Sequence, residues 1–328
     1  MSTHMELVMA GFVVGATATA VIIYRVWRNK INPTKGGTNT INVVTASTVS
    51  AATTATPATT AATAATAATA ANNNSRPITT VPKLRVPELH LLLIEADNQR
   101  SLGGSCIRDC LTADKYLTNY LLKPSIKITK GCTMVLSIDN TQTNRMKFTN
   151  NKNIIFDKLS NYKTRFTDFI SKVNKNDTVL ILISGHGYQQ KSKTKEEVDG
   201  LDEYICHDKG IILDNELNEL LLKKLTVARR VICLADTCHS GTIFDNSNYT
   251  NIFSISACLD KQYASCDIGV VTGYGGALTV HLFDQSNASN ILIAGNISDI
   301  RNLVAKISKI VAPLKQTPLY VGPAIVPV

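Results

Sequence analysis

Five short apolar runs, separated by longer amphipathic stretches, constrain this chain more than any other feature of its sequence. They are HLLLIEA (His90 to Ala96), TMVLSID (Thr133 to Asp139), DTVLILIS (Asp177 to Ser184), RVICLAD (Arg230 to Asp236) and IFSISA (Ile252 to Ala257). Each is too short for a buried helix and has the length of a buried strand. Stretches near 106–122, 153–174, 214–225, 275–284 and 298–311 read as helices between them. The alternation is βαβ, so the fold class is α/β, a three-layer α/β/α sandwich on a mostly parallel sheet. In such sheets functional groups gather beyond the carboxyl ends of the strands.

Two strand ends carry chemistry. DTVLILIS runs directly into Gly185, His186 and Gly187, which presents a histidine between two glycines. RVICLAD runs directly into Thr237, Cys238, His239, Ser240 and Gly241, which presents a cysteine at the equivalent place. A thiol and an imidazole on neighbouring strand ends can meet as a nucleophile and its base. Taken alone, either residue reads as an inert thiol or a satisfied loop histidine; the pairing is what gives them meaning. Asp236 lies two residues before Cys238, so in continued strand geometry its side chain points to the same side, where a carboxylate selects a cation.

The rest of the chain is organised differently. Leu7 to Tyr24 is an uncharged stretch of 18 residues, about 27 Å as a helix and just enough to span a bilayer core. Arg25, Arg28 and Lys30 follow it, which predicts a single-pass membrane anchor with its C-terminal side in the cytoplasm. Residues 31–80 are a Thr, Ala and Asn tract, read as a disordered linker. The expected domains are therefore an anchor at 1–30, a linker at 31–80 and a globular domain at 81–328.

Charge excludes one class of function. The formal net charge is +9, from 34 basic and 25 acidic residues, but no strong basic run concentrates it. With aromatic residues at 6% and no basic-aromatic interleaving, the chain does not read as a nucleic-acid binder. Its eight cysteines all lie between Cys106 and Cys266 without a CxxC pair, which points to reduced thiols.

The ordered motifs SGHG, the acidic run from Glu196 to Glu203, ILDNEL and DTCHSG closely resemble a metacaspase, a caspase-fold cysteine peptidase. The resemblance begins at HLLLIEA and GSCIRDC. It continues through the segment Ser256 to Gln262, GGALT (Gly275 to Thr279) and Gln316 to Leu319, and so covers about residues 88 to 322. It implies a caspase-like fold, Cys238 as nucleophile and His186 as general base and acid. Backbone N–H groups at Gly187 and Cys238 are placed to hold the oxyanion. It also implies an S1 pocket of Asp109, Ser184 and Asp236, and cleavage of protein or peptide substrates after Arg or Lys. Calcium is implied as a cofactor, through Asp202, Asp214, Asn215 and Asp245, whose oxygen ligands suit a hard cation; no organic cofactor is expected. Read alone, Asp109 is a helix-surface acid and Asp236 a helix N-cap. The expected state is a monomer or weak dimer.

Several positions depart from the family pattern. Asn215 replaces an acid, Ile183 replaces an aromatic residue, and Arg108 precedes Asp109, where it could pair with that pocket acid. Cys106 and Cys258 read as packing residues, and Lys191, Lys193 and Lys195 as candidate self-cleavage sites. Two other readings are a catalytically silent scaffold of the same fold and a same-fold peptidase of different specificity, such as an Asn-cleaving legumain-like enzyme.

Overall fold

The computed structural model describes residues 6–14, 17–25, 85–148, 154–193, 199–266, 268–270 and 273–323. The chain divides into two compact units, Met1–Ile78 and Thr79–Val328.

In the first unit, β1 (Glu6–Val14) pairs antiparallel with β2 (Thr17–Arg25), from Glu6 opposite Arg25 to Val14 opposite Thr17. The transmembrane helix expected over Leu7 to Tyr24 is corrected to a hairpin, and no helix among the described residues is long and apolar enough to cross a membrane. The stretch is rich in β-branched residues, with Val13, Val14, Thr17, Thr19, Val21, Ile22 and Ile23 among them. Such side chains lose freedom in a helix and fit a pleated strand. The tract at 31–80 lies outside the described residues.

The second unit opens with β3 (Glu88–Ala96), α1 (Ser105–Leu121), β4 (Thr129–Ser137), α2 (Gln142–Lys147), β5 (Ile154–Lys158), α3 (Tyr162–Ile170) and β6 (Thr178–Gly185). A small antiparallel sheet follows, of β7 (Gly187–Lys191), β8 (Leu201–His207) and β9 (Gly210–Leu213). Next come α4 (Asp214–Leu217), a π-helical turn at Asn218–Leu222, α5 (Lys223–Leu225), β10 (Arg230–Asp236) and β11 (Ile252–Ser256). The chain closes with the hairpin of β12 (Ile268–Val270) and β13 (Gly273–Gly275), then α6 (Ala277–Phe283), α7 (Ala288–Ala294), α8 (Ile297–Val311) and β14 (Leu319–Val321).

The main sheet has seven strands in the order β14-β11-β10-β6-β3-β4-β5, parallel except for β14. The chain starts in the middle at β3, builds outward through β4 and β5, then returns to β6 on the other side. Strand order therefore reverses between β3 and β6, and a crevice opens beyond their carboxyl ends.

Side-chain alternation splits the core into two layers. Leu91 and Leu93 of β3, Leu180 and Leu182 of β6, and Ile232 and Leu234 of β10 face one layer, completed by α1, α6, α7 and α8. Leu92, Ile94, Ile181, Ile183, Val231 and Cys233 face the other, completed by α3 and the α4 to α5 segment. This is the expected three-layer sandwich, in which each fully buried Leu or Ile contributes roughly 1.5–3 kcal/mol.

One helix starts later than expected. Within 153–174, Ile154–Lys158 forms the edge strand β5, with Ile154 opposite Thr133, and α3 begins at Tyr162. The triplet Ile154, Ile155 and Phe156 favours strand, and pairing with β4 decides an ambiguous apolar run.

Candidate active site

The crevice is assembled by strand parity. Asp236 at the end of β10 lies opposite Ser184 of β6. Both share parity with the leucines facing the α1 layer, so both side chains point toward α1, which brings Asp109 to meet them. Ser184 Oγ donates to Asp109 Oδ2 at 2.6 Å, and the Gly276 N–H reaches both Asp109 oxygens at 3.0 and 3.1 Å. Asp236 Oδ2 accepts from the Thr279 N–H at 2.7 Å, at the N-terminus of α6, while its Oδ1 is buried without a hydrogen-bond partner.

Asp109 and Asp236 are 1% and 5% exposed, so neither behaves as a surface acid. Desolvation pushes Asp109 well above the usual carboxylate range, and the neighbouring Asp236 charge adds to it. The Ser184 and Gly276 hydrogen bonds oppose the shift, with Arg108 acting the same way. Burial raises Asp236 to about 6, against the Thr279 hydrogen bond. Two buried carboxylates held side by side disfavour simultaneous ionisation unless a cation joins them.

The reacting pair stands beside these acids. His186 leaves the end of β6, and its N–H donates to the Ala96 carbonyl at 3.1 Å. Ser101 Oγ lies 2.9 Å from His186 Nε2, and Asp97 Oδ1 lies 3.5 Å from the same nitrogen. Cys238 is half-buried, with Sγ 3.9 Å from the Ala264 carbonyl. Burial raises its thiol, partly offset by that carbonyl contact and reinforced by Asp236. His239 follows with a left-handed φ of 53°, a conformation that turns the chain sharply off the strand and leaves Cys238 at its corner. The turn is held by the His239 N–H donating to the Gln262 carbonyl at 3.1 Å.

The two strand ends touch at Gly187, where a β-carbon would run into the Cys238 carbonyl oxygen. Only glycine lets the histidine loop approach the nucleophile's backbone so closely. His186, Cys238, Asp109, Ser184 and Asp236 all line a single cavity of about 150 Å³. The structure thus brings the expected Cys238, His186, Asp109, Ser184 and Asp236 to one cavity.

Residues 92–247 match the family model described as metacaspase, peptidase C14 domain. Over that stretch the chain is similar to a metacaspase peptidase domain. The family is one of cysteine-type endopeptidases. Curated relatives include Metacaspase-1 of Yarrowia lipolytica, 40% identical over 118 residues, which are 32% of this chain and 25% of that protein. Metacaspase-1 of Arabidopsis thaliana is 36% identical over 73 residues, 21% of this chain and 20% of that protein. This chain therefore matches about a fifth to a quarter of these relatives' length. Among solved structures, protein GSU0716 from Geobacter sulfurreducens aligns with a TM-score of 0.46 at 20% identity, covering 72% of this chain and 94% of that one. Caspase-1 from Spodoptera frugiperda aligns with a TM-score of 0.40 at 10% identity, covering 73% and 89%.

The residues expected to bind calcium are only partly gathered. Asp202 and Asp214 are both buried, and Asp202 Oδ1 has no hydrogen-bond partner, as a cation ligand would. Asp214 uses its oxygens on the backbone N–H groups of Glu203 and Asn215, at 3.1 and 2.6 Å. Asp245 is exposed and accepts from Asn218 at 3.2 Å. Among the described residues, the group of acids and histidines whose ligand atoms come within 4.8 Å of one another is Glu88, His90 and Asp177, not the expected set. That group lies at the opposite ends of the strands, where Arg85 supplies the cation at 2.7 Å from Glu88 and 3.2 Å from Asp177. Among the described residues the expected calcium ligands do not close into one oxygen cage.

Sequence reasoning missed Asp97 and Ser101, since neither belongs to the motifs that drew attention. The signal was present, because Asp97 directly follows β3, the strand paired with the one that runs into His186. Cys106 lines the cavity and is buried, and Cys258 packs with Sγ 3.5 Å from the Thr237 carbonyl. Of the candidate self-cleavage sites, Lys195 lies outside the described residues.

Proposed function

We propose that this chain is a cysteine endopeptidase that hydrolyses peptide bonds after Arg or Lys. One observation carries this reading: the cavity that holds Cys238 and His186 also holds Asp109 and Asp236, two carboxylates buried beyond what ordinary acids tolerate. A guanidinium or ammonium entering beside them supplies the missing counter-charge, and the arginine fork offers donors for the unpartnered Asp236 Oδ1. An aspartate or asparagine side chain would meet two acids and gain nothing comparable. This favours basic specificity over the legumain-like alternative.

The chemistry follows from the thiol's resting state. Burial keeps Cys238 protonated, so attack requires transfer of its proton to His186 as Sγ bonds to the scissile carbonyl carbon. The oxyanion is received by the N–H groups of Gly187 and Cys238. The imidazolium then protonates the leaving amine, and water hydrolyses the thioester with His186 again as base. The raised thiol is also the observation that favours a silent scaffold, because an inert buried cysteine behaves the same way.

Hydrolysis of Arg-, Lys-, Asp- and Asn-ended fluorogenic peptides by the full chain and its Cys238→Ala variant separates these readings. Calcium activation rests on the resemblance and on the unpartnered Asp202 oxygen. Membrane attachment with a cytoplasmic peptidase domain rests on the uncharged composition of the stretch 7–24 and the cations after it, and not on a spanning helix. A mobility shift on deglycosylation, through the sequons at Asn248, Asn287 or Asn296, would contradict that placement.

A further inference from the structure

We propose that Asp97 is a positioning residue for His186, making the reacting pair a Cys–His–Asp arrangement with Ser101 as its third contact. The proposal rests on the peptidase reading above and assigns the histidine its working tautomer.

The topology makes the placement firm. Asp97 follows β3 directly, Ala96 lies opposite Gly185, and the His186 N–H is bonded to the Ala96 carbonyl. The histidine and the aspartate therefore leave adjacent parallel strands at the same level, within the crevice where strand order reverses. Asp97 is 6% exposed. Its Oδ1 accepts the Ser101 N–H at 3.1 Å and its Oδ2 accepts the Leu102 N–H at 3.0 Å. Its own N–H donates to Glu95 Oε1 at 2.9 Å, and Glu95 is in turn held by Ser137 Oγ at 2.6 Å and the Ile138 N–H at 2.9 Å. A carboxylate held from this many directions cannot swing away from the imidazole.

The contacts decide which ring nitrogen is the base. His186 Nε2 faces Ser101 Oγ at 2.9 Å and Asp97 Oδ1 at 3.5 Å. An unprotonated Nε2 would set its lone pair against a carboxylate oxygen. A protonated Nε2 donates to Ser101 with the carboxylate alongside. The proton therefore sits on Nε2, and Nδ1 is left to receive the Cys238 proton. When it does, the imidazolium forms next to a fixed negative charge, the division of labour by which a buried aspartate supports a catalytic histidine.

The test combines kinetics with a spectroscopic signature, using the full chain. Asp97→Asn is expected to lower kcat on an Arg-ended peptide by about 100-fold, the scale of general acid–base catalysis, with KM changed less than about twofold. In a Cys238→Ala background, the nitrogen-15 spectrum of labelled histidine is expected to show His186 as a single Nε2–H tautomer, becoming a mixture when Asp97→Asn is added. Ser101→Ala keeps the backbone bonds to Asp97 and serves if Asp97→Asn does not fold; it is expected to lower kcat about tenfold and to mix the tautomers likewise. Unchanged kcat, or an unchanged tautomer in a folded variant, overturns the proposal. A parent chain with no Cys238-dependent hydrolysis overturns the peptidase reading instead, and the tautomer spectrum still decides the placement of Asp97.

Discussion

Ser184 Oγ donates a 2.6 Å hydrogen bond to Asp109 Oδ2, joining β6 to α1 across 75 residues of sequence. The bond holds a carboxylate in the cavity against the cost of burying it. Asp109→Asn removes the charge that selects a basic side chain, and losing one partner of a buried charge pair costs about 2–5 kcal/mol. Hydrolysis of Arg-ended peptides should fall by roughly 30-fold or more in kcat/KM. The unliganded protein should become more stable in thermal unfolding, since the repulsion with Asp236 is relieved.

The second carboxylate predicts a pH dependence of definite sign. Asp236 titrates at about 6 in the fold, above an ordinary 3.8. Between those values the fold holds a proton that the unfolded chain has released, so this group's stabilisation is present at low pH and lost as pH rises through about 6. Its contribution is on the order of 2–3 kcal/mol. Denaturant unfolding of the parent and of Asp236→Asn from pH 4 to 7 should show the parent losing stability relative to the variant. Substrate binding runs the other way, with KM for Arg-ended peptides rising as pH falls below about 6.

Gly187 and Cys238 make a steric prediction. Because a β-carbon at Gly187 meets the Cys238 carbonyl, Gly187→Ala must push the histidine loop away from the nucleophile. The expected result is a loss of about 100-fold in kcat, with a stability cost of about 1–3 kcal/mol. Steady-state kinetics beside denaturant unfolding separates the two effects.

Much of this site was legible before the fold was known. Periodicity placed β3, β4, β6, β10 and β11, and the two strand ends named His186 and Cys238. Strand parity also placed Asp236 correctly, because side-chain alternation persists to the end of β10. Its hydrogen bond to Thr279 shows that reading Asp236 as a helix cap was half right, since the terminus it meets is that of α6, 41 residues beyond it in the sequence. What failed had physical causes. The apolar stretch 7–24 has the length of a spanning helix but the β-branched composition of strands. Ile154 to Phe156 is ambiguous until β4 pairs with it. Asp97 and Ser101 meet His186 through contacts between loops beyond the ends of β3 and β6, which spacing along the chain does not reveal.

Calcium sensitivity should depend unequally on the expected ligands. Asp202 Oδ1 is buried without a partner, whereas Asp245 is exposed and bonded to Asn218. Calcium activation as proposed requires ligands that the fold holds apart to be drawn together, and on that reading activity rises with calcium and falls in chelator. Asp202→Asn should raise the calcium concentration needed by roughly tenfold, about 1.4 kcal/mol, while Asp245→Asn should shift it far less. A calcium titration of initial rates checks both.

The measurement closest to the central claim is hydrolysis of Arg-, Lys-, Asp- and Asn-ended peptides by the full chain and by Cys238→Ala, with matched circular dichroism spectra. Cleavage after Arg and Lys alone is expected, abolished in the variant with its fold intact. Activity that survives in Cys238→Ala, or a folded parent that cleaves none of the four, would contradict it.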